Sequence, residues 1–441
     1  MKRMLNLLLA FAVLTMTGCS AVSFGVEGLI NAPKLTKQQS EIHKALEKSI
    51  GSNITLKYPK NGDNRSAYVV SNIDNEAGNE AIVFYEYNST VKKEGLWLSV
   101  LDNNEDDDWV CMAEVSCPGT DISKVVISSM GSENNKNVIV GYQNIAGEEK
   151  ALEVYRYDNG EFKSICSDNY SVLETISISK NNQNGFVLIQ KNVVDEIITY
   201  KAYLYEMENK HLVKSNGIDM SDDVVSYVNS KTGRLDDNSQ AIYLDYLNAD
   251  NNLRTEILYL NDGKLYNPVT VDKKGFGTRF NRPSGYDSMD IDKDGQIEIP
   301  SVRPMLGYEN AVEQDLEYMS TWSVYDKEKG IVDKASGYYS LSDGFVIIYP
   351  NRWNNIVTMK KDLNSGEIVF YKYNGDINAE MTELMRVASV GKNDVREYAD
   401  RGYKIIDSKG QLDYMVKLPD GSNEPLVLTI DEIQNSFYTV E

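Results

Sequence analysis

Nine residues, Asp290-Ile291-Asp292-Lys293-Asp294-Gly295-Gln296-Ile297-Glu298, have the types and spacing to do chemistry. Carboxylates alternate at positions 1, 3 and 5, and Gly295 at position 6 permits a sharp turn. Calcium takes six to eight oxygen ligands, and a short loop with this alternation can wrap it. Gln296 at position 7 would offer its backbone carbonyl. A helix–loop–helix site would need a bidentate Glu at position 12, where this chain has Ser301. Glu298 at position 9 takes the acidic role, and the flanking residues read as strands. The bland reading of these residues is a solvated acidic turn.

The loop recurs in weaker form, so the elements that hold it must recur too. VVSNIDNEAGNEAIVFYEY (69–87), VVISSMGSENNKNVIVGYQ (125–143), ETISISKNNQNGFVLIQK (174–191), VVSYVNSKTGRLDDNSQAIYLDYL (224–247) and YDSMDIDKDGQIEIPSV (286–302) share one plan. Each has a short alternating strand, a polar loop and a strongly apolar strand. In the first copy Asn72, Asp74, Glu76 and Glu80 fall at positions 1, 3, 5 and 9. Position 6 there is Ala77, so that loop is a second candidate metal site or a purely hydrogen-bonded turn. Hairpins follow each loop, around Asp158-Asn159-Gly160 and Asn261-Asp262-Gly263 among others. Asn-Gly and Asp-Gly between alternating apolar runs predict tight turns, because such turns need positive φ. Four antiparallel strands in about 50 residues is the size of a propeller blade. The expected fold is therefore mainly β, with β-propeller-like repeats of four-stranded blades over 67–337. A β-sandwich or separate β-domains is the alternative.

The Asp290–Glu298 loop closely resembles the loops of FG-GAP/VCBS-type repeats. That resemblance implies a calcium-bound loop joining two strands of a blade. It implies Asp290, Asp292, Asp294 and Glu298 as side-chain ligands and Gln296 as a backbone ligand.

The N-terminus supplies an address. Lys2 and Arg3 precede an apolar run from Met4 to Met16, and Thr17-Gly18-Cys19 follows. A positive start, an apolar stretch of this length and small residues at the cut predict a secretory signal over 1–18. With Cys19 directly after the small residues, the site resembles a bacterial lipoprotein lipobox, with Met16 where Leu is usual. The resemblance implies a diacylglycerol on the Cys19 thiol and a membrane anchor facing away from the cytoplasm.

Residues 19–35 read as a tether and 36–66 as an N-terminal helix and strand. The helix spans 36–50, with Thr36 as N-cap, Ile42, Ala45, Leu46 and Ile50 on one face, an exposed His43, and Gly51 at its end. Residues 338–441 read as a small α+β domain. Strands flank Pro350, a helix begins near Met381, a short helix covers 395–402, a hairpin turns at Gly410, and a helix or strand pair closes the chain. The order of Phe345, Pro350, Trp353, Tyr403 and Tyr414 on these elements looks like PsbP-type domains, which implies a binding or assembly module.

Charge and composition exclude several classes. The net charge is −21 and becomes two units more negative once Lys2 and Arg3 leave. Such a surface does not seek nucleic-acid phosphates. Three cysteines beyond Cys19 cannot all pair within one chain; Cys111 and Cys117 either bridge a short loop or serve as small buried hydrophobes. Two histidines and no CxxC argue against zinc. GxSxG, HExxH, Walker and GxGxxG patterns are lacking. The leading expectation is a lipid-anchored binding or scaffold protein of the cell envelope, without enzymatic turnover. It would hold structural calcium and meet an envelope protein or glycan. The alternative is an extracytoplasmic enzyme acting on glycans or peptidoglycan through paired carboxylates.

Overall fold

The computed structural model describes residues 35–440, apart from 89–93, 104–107, 132–134, 145–148, 159, 179–182, 273–275 and 277. The signal, Cys19 and the tether as far as residue 34 lie outside the described residues. Among the described residues no helix is long and apolar enough to cross a membrane.

The repeat becomes five antiparallel sheets, each a blade, and a sixth sheet follows. Blade 1 contains Tyr68–Ser71, Glu80–Tyr87, Leu96–Asn103 and Trp109–Ser116, with Ile54–Leu56 also paired to its second strand. Blade 2 runs through Asp121–Ser129, Lys136–Gln143, Lys150–Asp158 and Glu161–Tyr170. Blade 3 starts with Val172–Ser177 and Asn184–Val194, and blade 4 with Ser226–Asp236 and Ser239–Leu247. In blade 5 the first strand shrinks to a bridge between Met289 and Glu298, and Ile299–Pro304, Tyr318–Asp326 and Gly330–Ser340 follow. The repeated polar loop thus joins paired strands, closing on Ser71 and Glu80 in blade 1 and on Met289 and Glu298 in blade 5. At the blade 4 hairpin Asp262 and Gly263 have φ of 49° and 74°, as the Asp-Gly pair predicts.

Continuous apolar runs in the second strands reflect burial on both faces. Successive side chains point to opposite faces, so an unbroken buried run places a sheet between two neighbours. In blade 1 Ile82 and Phe84 pack with blade 2 residues such as Val138 and Val140. Their alternates Ala81, Val83 and Tyr85 pack against Ile42 and Leu46 of the helix Lys37–Ile50. Ile139 of blade 2 turns the other way, onto Leu188 of blade 3. The stack continues from blade 3 to blade 4 and from blade 4 to blade 5.

The helix therefore covers the face of blade 1 that has no preceding blade. Thr36 and Gln39 form its capping box, and Gly51 ends it at φ 95°. His43 is half-buried rather than exposed, because its Nδ1 meets the Tyr68 hydroxyl at 2.9 Å and its Nε2 lies 3.5 Å from Glu47. At the other end blade 5 packs on the sixth sheet through Tyr338, Phe345, Trp353 and Phe370.

That sixth sheet corrects one expectation. Residues 382–391, read as the end of a helix, are a buried central strand, Thr382–Gly391. Met385 and Val387 point into the core with Leu384, so tertiary pairing overrides the local helical pattern. The short helix Val395–Asp400, the hairpin about Gly410, and the closing helix Ile430–Gln434 with strand Phe437–Thr439 all form. Cys111, Cys117 and Cys166 are free thiols, so no bridge joins Cys111 to Cys117. Trp322 and Trp353 are fully buried.

Candidate functional site

The Asp290–Glu298 loop folds around its own carboxylates. Asp290 accepts the backbone N–H groups of Asp294 at 3.1 Å and Gly295 at 2.8 Å. Asp294 accepts from Gln296 N at 2.8 Å, and Glu298 accepts from Ile291 N at 2.9 Å. Gly295 adopts φ 87°, which a side chain would resist. Oxygens of Asp290, Asp292 and Asp294 lie within 4.8 Å of one another, close enough for one cation. This hard-oxygen donor set fits calcium in type.

A residue absent from the local pattern enters the loop. Lys334, on the strand Gly330–Ser340, brings its ammonium to Asp292 at 2.9 Å, Asp294 at 2.8 Å and Glu298 at 2.7 Å. Burial disfavours that charge, but the three carboxylates overcome it and hold the Lys334 pKa above the ordinary lysine range. Glu298 is fully buried, and burial pushes its carboxyl up to about 7 against the pull of Lys334 and Ile291 N–H. A metal ion and Lys334 would draw on the same two carboxylates, Asp292 and Asp294.

The blade 1 loop keeps the shape with different groups. Ile73 N donates to Glu80 at 2.6 Å, as Ile291 N does to Glu298. Asn72 is spent on the turn, accepting Asn75 N and donating to the carbonyls of Glu76 and Gly78. Asp74 and Glu80 converge with Asp102, whose cross-strand partner is Glu80. Glu76 stands outside that carboxylate cluster. Two carboxylates directly opposite on a sheet repel. The Tyr157 hydroxyl, donating to Asp102 at 3.0 Å, relieves part of this.

A second region was missed entirely from the sequence. The first strands of blades 2, 3 and 4 converge with segment 61–65 on an open cavity of about 710 Å³. Lys60 N and Asn61 N donate to the carbonyls of Ile122 and Ser123, which pins the segment along blade 2. Lys124 of blade 2 meets Glu174 of blade 3 at 2.9 Å, and Ser230 of blade 4 donates to the other Glu174 oxygen at 2.7 Å. One carboxylate thus ties three blades together at the cavity wall. Lys150, Lys231, Asp63, Asn229 and Tyr227 complete much of the wall. Sequence offers no local signal for this site, since its lining comes from short runs on strands of separate repeats, about 50 residues apart.

Five successive antiparallel sheets of four or five strands, stacked face to face with the first strands of blades 2, 3 and 4 converging on a polar cavity, define the class: this is a β-propeller-like protein. No family model matches the sequence, and no curated protein matches it. Solved structures with a similar fold include one from Bacteroides uniformis ATCC 8492 named as a 6-phosphogluconolactonase. It has 14% identity and a TM-score of 0.31, over 75% of this chain and 94% of that one. Exotype rhamnogalacturonan lyase YesX has 7% identity and a TM-score of 0.31, over 75% and 73%. A thermostable family-43 glycoside hydrolase has 11% identity and a TM-score of 0.25, over 67% and 96%. All three carry enzyme names, against the expectation of a chain without enzymatic turnover. At such similarity none of them argues for a particular activity here.

Proposed function

We propose that this chain is an extracytoplasmic enzyme acting on glycans, tethered to the membrane through lipid on Cys19. The axial cavity carries the reading. Saccharides are recognised by dense hydrogen bonding and by aromatic faces. The wall supplies hydroxyls from Ser123, Ser230 and Thr232, an amide from Asn229 and the ring of Tyr227. Its volume falls within the range of small-ligand sites. The wall also holds two carboxyl groups, Asp63 and Glu174. Lys124 and Ser230 fix the orientation of Glu174, so no reorganisation is needed when a substrate arrives. Glu174 is assigned as one member of an acid–base pair and Asp63 as the other.

The test is product release. The purified protein is incubated with a panel of neutral and acidic polysaccharides and peptidoglycan, and new chain ends are read by mass spectrometry. Glu174→Gln is expected to reduce turnover at least about a hundredfold. An inactive protein that also binds no glycan would refute the proposal.

Calcium is assigned to the Asp290–Glu298 loop as a structural ion, with Asp290, Asp292 and Asp294 as carboxylate ligands. Support comes from the convergence of these three side chains. A cation there offsets repulsion among the acids and rigidifies the loop.

A further inference from the structure

The axial cavity is charged against the trend of the whole chain. The sequence holds 66 acidic residues and 45 Lys and Arg. On the cavity wall four cations, Arg65, Lys124, Lys150 and Lys231, face only Asp63 and Glu174. Lys124 and Glu174 neutralise each other. Among the described residues the other three cations have no carboxylate within ion-pair distance. The Arg65 guanidinium donates to the Gly62 carbonyl at 3.1 Å. The Lys150 ammonium has a long 3.5 Å contact to the Ser171 carbonyl and lies 5.6 Å from the Tyr170 ring centroid. Burial lowers the Lys150 pKa, as expected for a half-desolvated ammonium lacking a counter-ion. Lys231 acts at a distance on Asp287, but burial and Asp245 push the Asp287 carboxyl upward, so its negative charge is itself disfavoured.

We propose that the saccharide taken into the axial cavity is anionic, bearing a carboxylate or a sulfate, and that Lys150 with Lys231 and Arg65 supplies its counter-charge. This rests on reading the cavity as the carbohydrate site. An uncompensated ammonium in a partly dry cavity is a cost to the free protein, and a bound anion removes it. Low-dielectric walls focus the field of such charges at the mouth. An anion would therefore be drawn into this cavity although the chain as a whole is acidic, and a neutral glycan would leave Lys150 without a partner.

Calorimetric titration tests the assignment with four probes: oligogalacturonate, a sulfated galactan oligomer, a neutral galactan oligomer and inorganic sulfate. The folded state of each variant is checked by its melting curve. At least one acidic oligomer should bind more tightly than the neutral one, with affinity falling steeply as salt rises. Which of the two binds separates carboxylate from sulfate. Lys150→Met should weaken that binding about ten- to hundredfold, and Lys150→Arg should restore most of it. Equal affinity for neutral and acidic oligomers, or no change in Lys150→Met, overturns the proposal. Binding of inorganic sulfate that depends on Lys150, with no saccharide bound by either protein, overturns the carbohydrate reading and leaves only an anion site.

Discussion

Replacing Lys334 by Met separates the two cations that compete for the Asp290–Glu298 loop. Methionine keeps most of the aliphatic stem and removes only the charge. Three contacts are lost at once, to Asp292, Asp294 and Glu298. They differ in worth. The Asp292 and Asp294 side chains are 20% and 36% exposed, so solvent screens them and each contributes at most about 1 kcal/mol. Glu298 is fully buried, and breaking a buried pair costs about 3–5 kcal/mol. Because Glu298 keeps the Ile291 N–H, the low end applies, and the variant should lose about 3 kcal/mol in EDTA. In the parent, calcium must displace the ammonium from Asp292 and Asp294 and forgo at most about 2 kcal/mol, so its affinity should be up to about thirtyfold weaker than in the variant. Denaturant unfolding with EDTA or calcium, together with calcium titration calorimetry, measures both quantities. A hundredfold excess of calcium over its dissociation constant should return about 2.7 kcal/mol to the variant. Equal stability of both proteins in EDTA, or equal calcium affinity, would refute the reasoning.

Other predictions follow from single contacts. Arg282 and Asp245 form a fully buried ion pair at 2.7 Å, so Arg282→Met should cost about 3–5 kcal/mol in denaturant unfolding; a loss under 1 kcal/mol would mean that the Thr255 and Ser288 donors suffice. Leu46→Ala, on the helix face covering blade 1, should cost about 2–5 kcal/mol and expose that sheet to hydrophobic dye; an unchanged dye signal would count against the capping role. Asp292→Ala should remove most of the calcium response of the melting temperature, and limited proteolysis near Lys293 should speed up only when calcium is stripped. Equal cleavage in both conditions argues for a loop without metal. Cys19→Ser should abolish palmitate labelling and detergent partitioning; persistent labelling would exclude Cys19 as the anchor.

Much of the blade architecture was legible in the sequence, because its causes are local. Alternating strands, Asp-Gly turns and the recurring polar loop each depend on residues within about ten positions of one another, so their spacing survives in one dimension. The helix Lys37–Ile50 was legible for the same reason: Thr36, Gln39 and Gly51 set its ends through contacts three or four residues away. Thr382–Gly391 was misread because its helix-like spacing of apolar residues lost to pairing on both sides within a buried sheet.

The sites needed the tertiary structure. Asp290, Asp292 and Asp294 announce a cation loop by themselves, but its electrostatics depend on Lys334, 40 residues after Asp294 on another strand of the blade. Asp102 joins Asp74 and Glu80 only through sheet pairing. The axial cavity draws short runs, 123–127, 170–175 and 227–232, from blades 2, 3 and 4 together with 61–65, so no one window of sequence contains it. Sequence determines what each strand can bury and where each turn must bend. Stacking of the blades determines which charges meet and which, like Lys150, are left facing a cavity, because that depends on distances between elements that chain spacing does not encode.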